Sequence, residues 1–312
     1  MLNIFHKTLA GEGLPQICAA VLALWLGVNL LHAGWVGARR FLWERRVKRE
    51  KGGLLAGAVS YTVGKGPVAV LFIHGFADTP YVWRRMATRL AATGRFTCRV
   101  MRLPGSGEPA DTARLQSLQR WRASVADELI NLKGRHARVW IAGHSMGGAL
   151  ALDAALRMPD LVDGVAVFAP LIEVSRRRSP VLPPAVWFAA ARVALCLSPT
   201  FESPFSSEGA AVDDPDFTYP RDRFIPFAVY RGLFRLVRDL RGKGHAVFCP
   251  LFAVTAEKDA VVDTAAALRW LEGCGGTKEI HVLPDIGHVI PLENGWQRFT
   301  DEMAEFIRRN TP

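Results

Sequence analysis

Three side chains in this sequence are of the types that together carry out displacement at a carbonyl carbon. Ser145 lies in "VWIAGHSMGGAL" (139–150), fenced by glycines. A serine hydroxyl is a poor nucleophile near neutral pH and needs an adjacent imidazole to take its proton. His288, in "LPDIGHVIP" (283–291), is the candidate base. Asp259, in "TAEKDAVV" (255–262), is the acid that would accept from the imidazole and hold its tautomer. Asp263 and Asp285 are the nearby alternatives for that role. A serine cramped between glycines can also be no more than a helix cap at a tight turn. The two readings part on whether the rest of the chain delivers the acid and the base to the same place.

The elements needed to do so are legible. A strand-forming run ends at Gly143 and a helix-forming stretch begins at Met146, so Ser145 occupies a strand-to-helix corner. Gly143 and Gly147, two residues to either side, are required where side chains would strike the neighbouring strand or helix. "LFIHGF" (71–76) ends an earlier strand. The backbone N–H groups of Phe76 and Met146 are the candidate donors to the oxyanion that acyl transfer generates. His74 reads as a structural histidine that fixes its loop. Asp259 and His288 both follow strands, at 251–256 and 278–283.

The remaining pattern alternates strand and helix. Strands are expected at 68–73, 96–101, 137–142 and 164–169, with helices over 80–93, 117–133, 146–157, about 263–272 and about 296–309. Repeated strand–helix units place the chain in the α/β class, with a mostly parallel sheet covered on both faces by helices. Residues 171–245 break the rhythm. They carry two expected helices, 181–198 and 224–241, and read as a cap inserted into a core of 59–170 and 246–312. In the second, Phe227, Tyr230, Phe234, Val237 and Arg241 recur at helical spacing. That stripe either packs on the core or lids a pocket.

Residues of about 60–310 resemble the α/β-hydrolase superfamily, in the serine esterase and lipase group that includes monoacylglycerol lipases and lysophospholipases. The matching stretches are "HGF", "RLPGSGEP" (102–109), "GHSMGG", "EKD" and "GH". Family members often carry glycine where Ala256 stands and histidine near Ser106, so the subfamily departs from the usual pattern. The resemblance implies an α/β-hydrolase fold and hydrolysis of a carboxylic ester through an acyl-enzyme, with no metal or organic cofactor. Thioesterase, amidase or peptidase, and acyltransferase activities are the alternatives on the same three residues. Serine at the corner disfavours the dehalogenases and epoxide hydrolases, which use aspartate there. A membrane-tethered binding protein with a degenerate hydrolase fold is the non-enzymatic alternative.

The N-terminal end has a separate character. No Asp, Glu, Lys or Arg occurs between Glu12 and Arg39. Residues 14–37 suffice to cross a hydrocarbon layer, which takes about 20 residues. Trp35 falls near the expected interface, and Asn29 and His32 are polar blemishes that would face a partner helix, headgroups or a bend. Residues 39–51 hold seven Arg/Lys against two Glu, which is half of the net charge of +10. That patch lies in a juxtamembrane linker, 39–58, beyond an N-terminal segment of 1–38. By the positive-inside rule it keeps the body of the chain cytoplasmic on a single-pass anchor. The alternative is a cleaved signal peptide, with Lys7 in its basic region and "VGA" (36–38) as the cleavage site. The basic charge is local and not interleaved with aromatics in a second stripe, which argues against nucleic acid as a partner. A hydrophobic or lipid-derived ester and the membrane are the partners expected; oligomeric state is left open. Five cysteines with no C-x-x-C pair read as reduced, buried thiols.

Overall fold

A computed structural model describes residues 13–179, 181–203 and 220–311. Among the described residues, helix α1 (Gly13–Glu44) is followed by β1 (Tyr61–Val63), β2 (Val68–Ile73), α2 (Arg84–Ala92) and β3 (Phe96–Met101). Next are α3 (Leu118–Lys133), β4 (Arg138–His144), α4 (Met146–Arg157) and β5 (Gly164–Phe168). The insertion holds α5 (Pro184–Ala194), β6 (Thr200–Glu202), β7 (Phe224–Pro226) and α6 (Phe227–Leu240). The chain closes with β8 (Leu251–Ala256), α7 (Thr264–Glu272), β9 (Lys278–Leu283) and α8 (Trp296–Arg309).

Seven strands form one sheet in the order β1-β3-β2-β4-β5-β8-β9. Among the described strands of this sheet, β1 alone is antiparallel to its neighbour; the other pairs are parallel. The strands are continuous apolar runs because helices cover them. In β2, "VAVLFI", every residue after Val68 is fully buried. Helix α2 packs on α8, while α4 packs on α3 and α6. Short-range signals set the helix ends: Ser117 Oγ accepts from Arg120 N–H at the start of α3, and Asp263 Oδ1 accepts from Ala266 N–H at 2.8 Å to open α7. The register matters most for function. Ile73 of β2 lies opposite Gly143 of β4, and His144 lies opposite Phe168 of β5. Ala256 of β8 lies opposite Leu283 of β9. The carboxyl ends of these strands are therefore level, and the loops after them meet over one edge of the sheet. This is the α/β-hydrolase fold.

The insertion differs in detail from its sequence reading. Helix α5 is shorter than 181–198, because Pro183 and Pro184 begin it and the helix ends at Ala194. Residues 224–226 are not helical; they pair antiparallel with 200–202, and Pro226 turns the chain into α6. Residue 180 and residues 204–219 of the expected cap lie outside the described residues. Helix α6 does both things that its stripe allowed. Leu233, Leu236, Val237 and Leu240 are buried against the core, while Tyr230, Leu233 and Phe234 line a cavity. Arg241 is exposed and belongs to neither set.

Helix α1 is long and apolar, with a mean hydropathy of 1.9 over its best 18 residues, enough by length and composition to cross a membrane. Most of its apolar side chains are exposed; only Asn29 and Val36 are buried. The helix continues through Arg39 and Arg40 to Glu44, and the other five basic residues of the patch follow it. Past it, Arg49 pairs with Glu44 and donates to the carbonyls of Gly53 and Gly107, which ties this stretch to the core. The cysteines correct one expectation. Cys98 and Cys274 are buried, but Cys18 and Cys196 are exposed, on α1 and just past α5. Both lie on surfaces whose apolar residues face outward, where a small thiol needs no core to sit in.

Candidate active site

Ser145 stands at the corner between β4 and α4 in a conformation that side chains rarely adopt, φ 53° and ψ −118°. The corner is held on both sides. Ser145 N–H donates to Phe168 O at 2.9 Å, and Leu171 N–H donates to Ser145 O at 3.0 Å. A Cβ on Gly143 would collide with the backbone of Gly147, and a Cβ on Gly147 with the carbonyls of Ile73 and His74. Only glycine lets β2, β4 and α4 converge this closely. Strain of this kind persists where the surrounding structure over-determines it. The Ser145 side chain accepts no capping bond from the helix that follows. The cap reading therefore fails on geometry.

Loops from two other strand ends complete the arrangement. His288 Nε2 lies 2.9 Å from Ser145 Oγ, and His288 Nδ1 lies 2.7 Å from Asp259 Oδ2. Asp259 is buried, and its other oxygen, Oδ1, accepts from the N–H groups of Val261 at 2.7 Å and Val262 at 3.0 Å. An ionised carboxylate can only accept, so His288 carries its proton on Nδ1 and offers Nε2 as the acceptor for the serine proton. Burial works to raise the Asp259 pKa, but the hydrogen bond and charge of His288 and the two backbone donors outweigh it and hold the carboxyl below its ordinary value. For His288, burial depresses the pKa, Asp259 partly restores it, and the net displacement is downward. The imidazole is thus kept neutral and ready to accept a proton.

The other acids are placed elsewhere. Asp263 caps α7 and Asp285 is exposed. His74 is fully buried and fully used: its Nδ1–H donates to Gly75 O at 2.9 Å and its Nε2 accepts from Leu103 N–H at 3.0 Å. Burial lowers its pKa to about 4, so it is a neutral pin between two loops.

A cavity of about 190 Å³ opens above Ser145 and His288. Phe76, Leu171, Val174, Phe188, Leu233 and Phe234 give it a mainly apolar wall, with α5 and α6 forming its roof. A wider surface depression of about 560 Å³ lies between α3, α5 and α6 but reaches none of the three residues. Phe76 is at the cavity wall, and Met146, the residue after the serine, opens α4. The first N–H groups of a helix have no intrahelical acceptor, which leaves them available to an anion.

One group of side chains escaped the sequence reading. His144, the residue before the serine, donates from Nε2 to His288 O at 2.9 Å. Its Nδ1 faces Asp78 Oδ2 at 3.6 Å, an electrostatic contact too long for a hydrogen bond. Asp78 Oδ1 in turn accepts from Arg221 Nε at 2.8 Å. Burial raises the Asp78 pKa, but Arg221 and His144 more than reverse this and bring it to about 2. Asp78 thus lies between the Arg221 guanidinium and the histidine whose other nitrogen grips the His288 loop. Its position, two residues past "HGF", was the only available hint.

Comparison with known proteins gives this geometry a context. The profile of the alpha/beta hydrolase family matches residues 70–302, most of the chain. The chain belongs to the alpha/beta hydrolase family. A thermostable monoacylglycerol lipase from Bacillus sp. (strain H-257) is 28% identical over 258 residues, covering 82% of this chain and 97% of that one. A carboxylesterase of Bacillus subtilis (strain 168) is 22% identical over 251 residues, covering 80% and 96%. Among solved structures, a metagenome-derived lipolytic enzyme superposes with a TM-score of 0.71 at 22% identity, over 82% of this hydrolase and 99% of the other chain. A soluble variant of monoglyceride lipase from Saccharomyces cerevisiae, solved with a substrate analogue, gives 0.67 at 17% identity, over 81% and 91%. These likenesses in structure concern the fold.

Proposed function

We propose that this hydrolase cleaves carboxylic esters of hydrophobic acyl chains, of the monoacylglycerol kind, through an acyl-enzyme on Ser145. The observation that carries the reading is the unbroken hydrogen-bonded chain Asp259–His288–Ser145 beneath an apolar cavity. His288 Nε2 takes the Ser145 proton as Oγ bonds to the acyl carbon. The negative oxygen of the tetrahedral intermediate is received by the backbone N–H groups of Phe76 and Met146. His288 then hands its proton to the leaving alkoxide, and the alcohol departs. Water enters, gives its proton to the same nitrogen and attacks the acyl carbon. Collapse returns the proton to Ser145 Oγ and releases the acid.

Sequence similarity to a monoacylglycerol lipase and to a carboxylesterase supports an ester substrate. The apolar wall supports a hydrophobic acyl group. The described parts of the 171–245 insertion, residues 171–179, 181–203 and 220–245, act as its cap. Helix α1 is the anchor, and the basic residues that follow it hold the body on the cytoplasmic side.

The test uses the full chain in detergent. Ser145→Ala abolishes both labelling by a fluorophosphonate probe and hydrolysis of p-nitrophenyl esters, and longer acyl chains are turned over better than acetate. Undiminished labelling of folded Ser145→Ala, or a clear preference for acetate, overturns the reading.

A further inference from the structure

Most of α1 is exposed, but one line along it is not. Asn29 is fully buried. Its Nδ2 donates to Ala194 O at 2.7 Å and to Trp25 O at 3.0 Å, while its Oδ1 accepts from Leu197 N–H at 3.2 Å. One turn further, His32 Nδ1 shares a 2.6 Å hydrogen bond with Ser198 Oγ, and its ring packs 5.8 Å from that of Phe201. Val36 is buried, Arg39 pairs with Glu202 at 2.8 Å, and the Trp43 ring packs 5.8 Å from Phe224. The spacing 29, 32, 36, 39, 43 is one face of a helix. Apart from Trp25, one turn back on α1 itself, the residues that these side chains meet, 194 to 202 and 224, belong to the insertion that roofs the cavity. This face of α1 is bound to the cap.

The seam has a consequence for depth. Glu12 and Arg39 bound the uncharged stretch. Residues 13–28, which run beyond the seam, reach about 24 Å at ~1.5 Å per residue, short of the ~30 Å of a hydrocarbon core. Crossing takes about 20 residues, and counted from Gly13 these extend to His32. A crossing α1 therefore carries Asn29 and His32 into the hydrocarbon, together with the cap edge that they bind. Polar side chains at that depth are costly unless partnered, and both are partnered here. The cap edge exposes apolar side chains, with the exposed Arg192 at its border. Val193 is 71% exposed and Leu197 43%, on the outer side of the segment whose inner residues Pro184 and Phe188 line the cavity.

We propose that α1 enters the bilayer latched to the cap through Asn29 and His32, so that residues 193–198 lie in hydrocarbon beside it. The anchor is then a part of the cap and not a tether on a linker, and the roof of the cavity faces lipid. This rests on the proposed role of α1 as the membrane anchor.

The test reads depth and not turnover. The full chain, with Cys18, Cys196 and the half-buried Cys249 changed to serine and the buried Cys98 and Cys274 kept, receives one added cysteine at Val193, Val21 or Ile130, each carrying the fluorophore NBD. It is reconstituted in vesicles of phosphatidylcholine and phosphatidylglycerol. Labels at Val193 and Val21 are expected to emit in the blue and to be quenched by spin-labelled acyl chains, while the label at Ile130, exposed on α3, stays water-like. Adding Asn29→Leu and His32→Leu is expected to return the Val193 label to water and leave the Val21 label in lipid. A water-like Val193 label beside a lipid-like Val21 label in the unmutated seam overturns the proposal. So does a Val193 label that stays in lipid after the seam is removed. A water-like label at Val21 removes the anchor itself and the latch with it, and leaves ester hydrolysis to be judged by Ser145→Ala.

Discussion

Asp259→Asn isolates the tautomer argument, because the structure dictates how the amide must sit. The N–H groups of Val261 and Val262 both donate to Oδ1, at 2.7 and 3.0 Å. An asparagine satisfies them only by placing its carbonyl oxygen there. Its NH₂ group is then forced to the Oδ2 position, 2.7 Å from His288 Nδ1. Two donors cannot face each other, so the imidazole moves its proton to Nε2 and presents an N–H to Ser145 Oγ. The base becomes a donor at the one place where it must accept. Loss of this orientation in a serine triad costs roughly 10⁴ in kcat, about 5 kcal/mol of barrier at ~1.36 kcal/mol per decade. The assay is p-nitrophenyl butyrate hydrolysis by the full chain in detergent, with circular dichroism to show that the fold persists. A folded Asp259→Asn variant that loses less than about tenfold refutes the reasoning and turns attention to another orienting group.

Two further outcomes follow from the same geometry. His288 must be neutral to act, and burial lowers its pKa despite Asp259. The acid limb of kcat/KM should therefore have its midpoint below about 6.5, the ordinary histidine value, with most of the activity retained at pH 7; a midpoint above about 6.5 contradicts this balance of burial against the Asp259 charge. Gly147→Ala drives a Cβ into the Ile73 and His74 carbonyls, which belong to β2 and the loop it feeds and have no freedom to retreat. It should lower stability by about 1–3 kcal/mol, seen as a fall in Tm. Gly134→Ala is the control, since Gly134 has a helical φ of −68° and its Cβ would meet nothing closer than 3.5 Å; a Tm loss of equal size there would remove the argument.

These predictions draw on residues of two kinds, and the difference explains what a sequence can disclose. Ser145, Asp259 and His288 each follow a strand, and their loops were legible because buried parallel strands are apolar runs that stop where the chain turns. Parallel register then makes the strand ends level, so residues 143 apart in sequence, such as Ser145 and His288, meet without any further instruction. The Arg221–Asp78–His144 chain obeys no such rule. Its members come from the cap, from the loop after β2 and from the nucleophile corner, and an ion pair leaves no periodic trace. Asn29 and His32 show the same limit in another form. In the sequence they were blemishes in an apolar helix, because their partners are backbone and hydroxyl groups about 165 residues away that no pattern announces. What made Asn29 visible was burial, and what made His32 visible, half-buried one turn on, was its bond to Ser198; a polar residue fully hidden on a helix whose apolar neighbours are exposed inverts the usual order of inside and outside. A helix that turns its polar stripe inward and its apolar faces outward is built for an apolar surrounding. On the proposal that α1 is the anchor, the seam and the anchor are one feature, and a substitution that perfects the hydrophobicity of α1 at position 29 should weaken the hold of the cap on it.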